Sequence, residues 1–325
     1  MLVINANEQK NLIDMNEVIE CAAVALSEFS ASRTITPIRS ALLFGESQNT
    51  ALVMPSVAEE LGSVGVKLVN VVPDNRKLGK KTINGVVILF HFETGEPLAL
   101  LEGSYLTMIR TGALTGVATK YLSRPDSKRL SIIGTGEQAS GLLEAILAVR
   151  DIEKVILYNR TPRKAMEFAN YIQQKFSVDV QVGLDPKEVV QEADIIVTAT
   201  NSSIPVFTDL IRPGVHINAV GSFRPTMQEL PSHVLPLADK VVVESRHAAL
   251  EETGDVRIPI QEGLFHENSI YAELGEIVSG DRKGRESRKE ITVFKSVGLA
   301  VVDVVVAQYV YEKALKSNVG TYIQL

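Results

Sequence analysis

The sequence predicts an α/β chain in which a parallel, doubly wound domain is inserted into an α+β domain. Three observations predict it. Strand-like runs follow one another without helices over residues 35–92. From residue 129 onward strands alternate with helices, the pattern of parallel βαβ units. From about residue 290 a long apolar helix returns, which is expected to pack back on the first part of the chain. The expected division is 1–123 plus 296–325 for the outer domain and 124–295 for the inserted one.

The elements follow in order. Residues 12–31 have the apolar spacing of an amphipathic helix, with Asp14 placed to accept from its first free amides. ITPIRSALLF, TALVMPSVA, VGVKLVNVV and INGVVILFHF read as strands, separated by turn residues such as PDN at 73–75 and TGEP at 94–97. GSYLTMIRTGALTGVATKYL (103–122) reads as a helix and SRPDSKR (123–129) as a linker. Beyond it RLSIIG, KVILYN, ADIIVTAT, VHINAVGS and KVVVES are strands; EQASGLLEAILAVR and PRKAMEFANYIQQKF are helices.

Bulk properties narrow the function classes. Of 325 residues, 45% are hydrophobic and 22% charged, enough apolar material for a sizeable core and too little charge for disorder. The net charge of −6 gives no general field for nucleic acid. Cys21 is the single cysteine, so no intrachain disulfide forms; a reducing, cytoplasmic setting is expected. The most apolar stretch, ITVFKSVGLAVVDVVVAQYVY, is interrupted by Lys295 and Asp303, which favours a core helix over a membrane span. The histidines at 91, 216, 233, 247 and 266 show no ligand spacing, and no metal site is expected.

Gly134-Thr135-Gly136-Glu137-Gln138-Ala139 is a G-x-G-x-x-A turn that follows an apolar strand and opens a helix. Gly134 permits the tight turn, Gly136 lets a diphosphate approach the backbone, and Ala139 keeps helix and strand close. The helix N-terminus offers free N–H groups and a favourable dipole. A dinucleotide site is therefore expected, against the alternative of a purely structural turn. The second strand ends in Tyr158-Asn159-Arg160-Thr161, with no carboxylate to repel a 2′-phosphate and with Arg160 able to pair with one. NADP(H) is expected ahead of NAD(H). The other reading of Arg160 is a solvated side chain in a helix-capping turn. Thr198–Asn201 and Ala219–Ser222 end further strands, where α/β sheets bind ligands.

Three cations lie in apolar surroundings: Arg39 in PIRS, Lys67 in GVKLVN and Arg110 in LTMIRTGA. Unpaired charges there are costly. They suit a planar carboxylate held bidentately; the alternatives are internal ion pairs or side chains whose charged ends reach solvent. Asp303 is either a partner for a buried cation or outward-pointing.

LLEGSYLTMIRTGALTGVAT (100–119), GTGEQA (134–139), NRT (159–161), TATNSS (198–203), INAVGSFRPTMQEL (217–230) and FKSVGLAVVD (294–303) together resemble the ornithine cyclodeaminase/mu-crystallin family over most of the chain. The resemblance implies a Rossmann-type nicotinamide-binding domain inserted in an α+β substrate and dimerisation domain. It implies Arg39, Lys67 and Arg110 as substrate-site cations, with Lys67 and Arg110 catalytic. Near the cofactor it implies Thr82, Arg110, Gln138, Asn159, Arg160, Thr200, Val220, Ser296 and Val297, beside Gly134, Gly136, Glu137 and Thr161 of the two turns. Cyclodeaminases and the related archaeal-type alanine dehydrogenases of the family carry an Asp where this chain has Phe223, and a family Lys that follows appears here as Met227. The GSFRP form is similar to the ketimine-reducing members.

The implied reaction is NAD(P)H-dependent reduction of a cyclic ketimine carboxylate, with Phe223 on the substrate side. The alternatives are an ornithine cyclodeaminase, an alanine- or opine-type amino acid dehydrogenase, or a mu-crystallin-like ligand-binding protein. Asp303 or Glu229 would be the stand-in if a carboxylate were needed. A homodimer is expected, because the first domain's sheet would otherwise leave open edges. No nucleic-acid or membrane partner is expected.

Overall fold

The computed structural model describes residues 1–45, 49–208 and 211–324, and of Arg76 only the backbone. It is a mixed α/β fold with two eight-stranded sheets. Two compact units are present, Met1–Arg110 with Leu299–Leu325, and Thr111–Gly298.

The first unit opens with β1 (Leu2–Ile4) and α1 (Ala6–Leu12), neither of which the sequence announced. Asn5 and Glu8 form a capping box that starts α1. α2 (Met15–Ser30) begins where expected, with Asp14 Oδ1 accepting from Asn16 N at 2.8 Å. The expected run ITPIRSALLF is broken into β2 (Thr34–Ile35) and β3 (Ser40–Phe44). Pro37, which has no N–H to give a ladder, lies in the gap. β4 (Asn49–Ala58), β5 (Ser63–Val71), β6 (Ile83–Phe90) and β7 (Pro97–Glu102) follow as antiparallel neighbours, and β1 joins β7 in parallel. α3 (Gly103–Leu122) has the bounds read from the sequence.

The division between units runs through α3 rather than the 123–129 linker. The second half of the helix is packed into the second unit: a Cβ on Gly112 would stand 2.2 Å from the Gly141 carbonyl oxygen.

The second unit is built of β8 (Arg129–Ile133), α4 (Ala139–Val149), β9 (Lys154–Tyr158), α5 (Pro162–Lys175), β10 (Asp179–Val182), α6 (Pro186–Gln191), β11 (Ile195–Thr198), β12 (His216–Ala219), α7 (Val234–Leu237), β13 (Lys240–Val243), α8 (Arg246–Glu252), α9 (Gly254–Gln261), β14 (Ala272–Glu273), α10 (Leu274–Val278) and β15 (Thr292–Lys295). The strands are all parallel, in the order β10-β9-β8-β11-β12-β15-β13-β14. β8, β11 and β12 are buried almost throughout, as a parallel sheet covered on both faces requires. β15 corrects the sequence reading, which began the terminal helix at about residue 290. Its residues are buried on both faces between β12 and β13.

The chain then closes on the first unit with α11 (Ala300–Ser317) and β16 (Thr321–Tyr322), which pairs with β1. No helix among the described residues is long and apolar enough to cross a membrane.

Candidate active site

In the second unit, β8 lies between β9 and β11, the point at which the winding of the sheet reverses. Such switch points open a crevice at the carboxyl ends of the strands. Gly134 sits there at φ +103°, and a Cβ on it would stand 2.5 Å from the Ala199 carbonyl oxygen. Its N–H donates to Tyr158 O at 2.9 Å. Gly136 is exposed, and a Cβ on it would meet nothing within 4 Å. The turn is therefore closed on its sheet side at Gly134 and open on its outer side at Gly136. That shape fits a diphosphate lying on the backbone before α4. Glu137 is exposed; Gln138 is half-buried at the N-cap, with its Oε1 buried and without a hydrogen-bond partner among the described residues.

Asn159 ties the ends of β8 and β9 together. Its Nδ2 donates to Thr135 Oγ1 at 2.7 Å, and its Oδ1 accepts from Thr161 N at 3.0 Å. Arg160 between them is exposed and makes no hydrogen bond or ion pair among the described residues.

The ends of β11 and β12 are held by a group the sequence raised only as a stand-in acid. Glu229 is fully buried. Its Oε1 accepts from Thr200 N at 2.6 Å and Thr200 Oγ1 at 2.8 Å. Its Oε2 accepts from Gly221 N at 2.7 Å and Ser222 N at 3.0 Å. Burial and the neighbouring Asp255 push its carboxyl above the usual range, while Lys295 and the Thr200 donors oppose them. Asp255 in turn accepts from Glu229 N at 2.6 Å and Leu230 N at 2.9 Å, and takes Lys295 Nζ at 2.9 Å. The Lys295–Asp255 pair is 1% exposed on both sides.

Thr200 and Val220 therefore stand at rigid strand ends. Val220 N donates to Thr198 O at 2.9 Å. Ser296 and Val297 are likewise fixed: Ser296 Oγ donates to Glu244 Oε2 at 2.9 Å, and Val297 N to Glu244 Oε1 at 2.5 Å. Phe223 is half-buried, with the Arg224 guanidinium 5.5 Å from its ring centroid.

The first unit gathers the cations. β5 alternates inward and outward, which puts Lys67 on the same buried face as Gly65 and Val69. Lys67 Nζ donates to Asp303 Oδ1 at 2.8 Å, and Arg110 Nε to the same oxygen at 2.9 Å. Lys67 is 2% exposed, Arg110 6% and Asp303 0%. Of the readings left open for these cations, Lys67 and Arg110 are internal ion pairs on one carboxylate. Two cations share one anion, so the cluster carries a net positive charge suited to a further anion. Burial pulls the Lys67 ammonium down to about 8, helped by Arg110 and Arg39 and opposed by Asp303. Arg39 is half-buried in the segment leading to β3, near enough to Lys67 to bear on its charge. Thr82 is half-buried just before β6, where its carbonyl accepts from Val72 N at 2.8 Å.

The histidines stay outside this chemistry. His216 is fully buried, its ring nitrogens 3.0 Å from Thr292 Oγ1 and 3.1 Å from Asn218 Oδ1. Burial and the Arg285 charge push it down to about 3, so it is neutral and structural. Among the described residues no group of His, Cys, Asp and Glu could hold a metal.

The comparisons with known proteins agree with one another. The model of the ornithine cyclodeaminase/mu-crystallin family matches residues 1–318. The chain is 67% identical to Δ1-pyrroline-2-carboxylate reductase of Bacillus cereus, over the full length of both. Its fold superposes with a TM-score of 0.97 on Thermococcus litoralis Δ1-pyrroline-2-carboxylate reductase in complex with NADH and L-proline, at 41% identity, over 99% of this chain and 100% of that one. An archaeal alanine dehydrogenase dimer with bound NAD superposes with a TM-score of 0.93 at 35% identity, over 100% of this chain and 99% of that one. The chain belongs to the ornithine cyclodeaminase/mu-crystallin family.

Proposed function

We propose that this protein is a cytoplasmic NAD(P)H-dependent reductase of cyclic ketimine carboxylates. It would convert Δ1-pyrroline-2-carboxylate or Δ1-piperideine-2-carboxylate to L-proline or L-pipecolate. The full-length 67% identity to the Bacillus cereus reductase carries this reading. On it the second unit holds the dinucleotide, and the first holds the substrate and pairs two copies of the chain.

When bound, the reduced nicotinamide supplies the hydride that the imine carbon accepts. The protein's own residues supply position and charge. Arg110 and Arg39 hold the ring carboxylate. Lys67 gives the proton that the imine nitrogen must gain. An ammonium with a pKa of about 8 is mostly protonated at neutral pH yet gives up its proton readily. The Phe223 ring, which can neither take a proton nor bind an ammonium as a carboxylate does, shapes a pocket for a flat, preformed ring.

The test follows NAD(P)H oxidation with the two ketimines, beside release of ammonia and proline from L-ornithine with catalytic NAD+. Ketimine reduction without ornithine turnover is expected. Stoichiometric ammonia and proline at a rate matching or exceeding ketimine reduction would overturn the reading.

The preference for NADP(H) rests on Arg160, exposed and unpaired among the described residues, beside a strand end without a carboxylate. Arg160→Ala should raise KM for NADPH far more than for NADH, by the about 1.5–3 kcal/mol of a charge-assisted bond. Equal changes for the two cofactors would remove Arg160 from that role.

Pairing of two chains is supported by β3, whose five residues are all exposed though three of them are large and apolar. Leu43 is 73% exposed, and Ile35 of β2 is 70% exposed. Apolar strands left open in this way invite pairing. The archaeal alanine dehydrogenase neighbour is a dimer. Light scattering should give twice the chain mass, and a monomer at all working concentrations would count against the pairing.

A further inference from the structure

We propose that Asp303 is a positioning residue that sets the place and the protonation of Lys67, by holding Lys67 and Arg110 on one carboxylate oxygen. The proposal rests on the reductase reading, in which Lys67 gives the proton.

Asp303 is the only charged residue in the first turns of α11, among Val301, Val302, Val304, Val305 and Val306. A buried carboxylate there is costly unless paired. The helix is brought close by Gly65: a Cβ on Gly65 would stand 2.6 Å from Ile88 O and 3.3 Å from Val304 Cγ2. Asp303 Oδ1 then reaches Lys67 Nζ at 2.8 Å and Arg110 Nε at 2.9 Å.

The groups that face Lys67 decide its charge. Asp303 reaches it from α11, Arg110 from α3 and Arg39 from the segment before β3. Its cross-strand neighbours are Met54 on β4 and Val87 on β6, both uncharged. Asp303 is thus the anion that holds the Lys67 ammonium up against burial, Arg110 and Arg39. Without its charge, burial and two guanidinium groups would act on Lys67 unopposed, and the proton would leave at lower pH.

Charge and shape can be separated at this residue. Asp303 Oδ2 is buried and has no hydrogen-bond partner among the described residues. Asp303→Asn can therefore keep both bonds through Oδ1 and remove the charge, with its amide nitrogen at the Oδ2 position where no protein bond is lost.

The first readout is the pH profile of kcat/KM for ketimine reduction. A proton donor is lost as pH rises through its pKa, so the wild-type profile should fall above about pH 8. In Asp303→Asn this limb should move about one to three pH units lower. Asp303→Glu, which keeps the charge, should leave the limb in place even where kcat falls. The second readout needs no turnover: calorimetric proton uptake when pyrrole-2-carboxylate, a planar ring that cannot accept hydride, binds the protein. Uptake should be largest somewhat above pH 8 in wild type, at lower pH in Asp303→Asn, and vanish in Lys67→Met.

A wild-type limb and wild-type uptake in folded Asp303→Asn would overturn the proposal. So would a limb moved by Asp303→Glu, or no Lys67-dependent titration in either readout. A wild-type protein that takes up protons as expected but reduces no ketimine would overturn the reductase reading and leave the role of Asp303 standing.

Discussion

Gly221→Ala is expected to destabilise the protein by about 4 kcal/mol or more, the range reached when packing and a buried polar network fail together. A Cβ at this position would stand 2.3 Å from both Thr200 N and Thr200 O, and 2.6 Å from Glu229 Oε1. Two of these are backbone atoms, which no rotamer change can move aside. To admit the methyl group, the ends of β11 and β12 must separate. Glu229 then loses donors from one side or the other, and each buried group left unpaired costs about 1–3 kcal/mol. Urea unfolding followed by circular dichroism measures the loss. Gly136→Ala is the matched control. Its methyl group meets nothing within 4 Å, so the unfolding midpoint should stay put while nucleotide affinity falls. A wild-type midpoint in Gly221→Ala would show that the clamp can open at little cost.

This contrast shows what could be read from the sequence. The glycine turn was legible because strand, turn and helix are contiguous, and Gly134 and Gly136 stand at fixed places within it. The helix Gly103–Leu122 was legible to the residue. Lys67 and Arg110 were conspicuous because charges are rare inside apolar runs. Their shared partner was not: Asp303 lies 236 residues from Lys67, and no local pattern announces a pairing at that range. The Glu229–Asp255–Lys295 network was hidden for the same reason, since its members come from three separate segments. β15 was missed because a short strand buried on both faces has no alternation, and merges with the apolar helix that follows it. β2 and β3 were read as one strand because Ile35 and Ile38 flank Pro37 and the apolar run Ala41–Phe44 follows within three residues.

Arg110→Ala should lower kcat/KM for the ketimine about a hundredfold or more, because misplacement at a reacting centre costs that much. The fold should survive the change. Asp303 keeps Lys67 as its partner at 2.8 Å, so one buried cation still balances one buried anion. What disappears is the second cation on Asp303, and with it one unit of positive charge beside the substrate. The ring carboxylate then has only Arg39 and the more distant field of a neutralised pair to hold it. Arg110→Lys should not restore activity: an ammonium is a compact point charge, and cannot bond Asp303 through one nitrogen while presenting a planar fork to a second carboxylate. The separation of KM from kcat identifies the lost interaction. A contact made equally in the bound and reacting states raises KM alone, whereas one that aims the imine carbon lowers kcat as well. Both changes are expected, because Arg110 would bind the carboxylate and, by doing so, orient the ring. Wild-type kinetics in a folded Arg110→Ala protein would take Arg110 out of the site and leave substrate binding to Arg39 and Lys67.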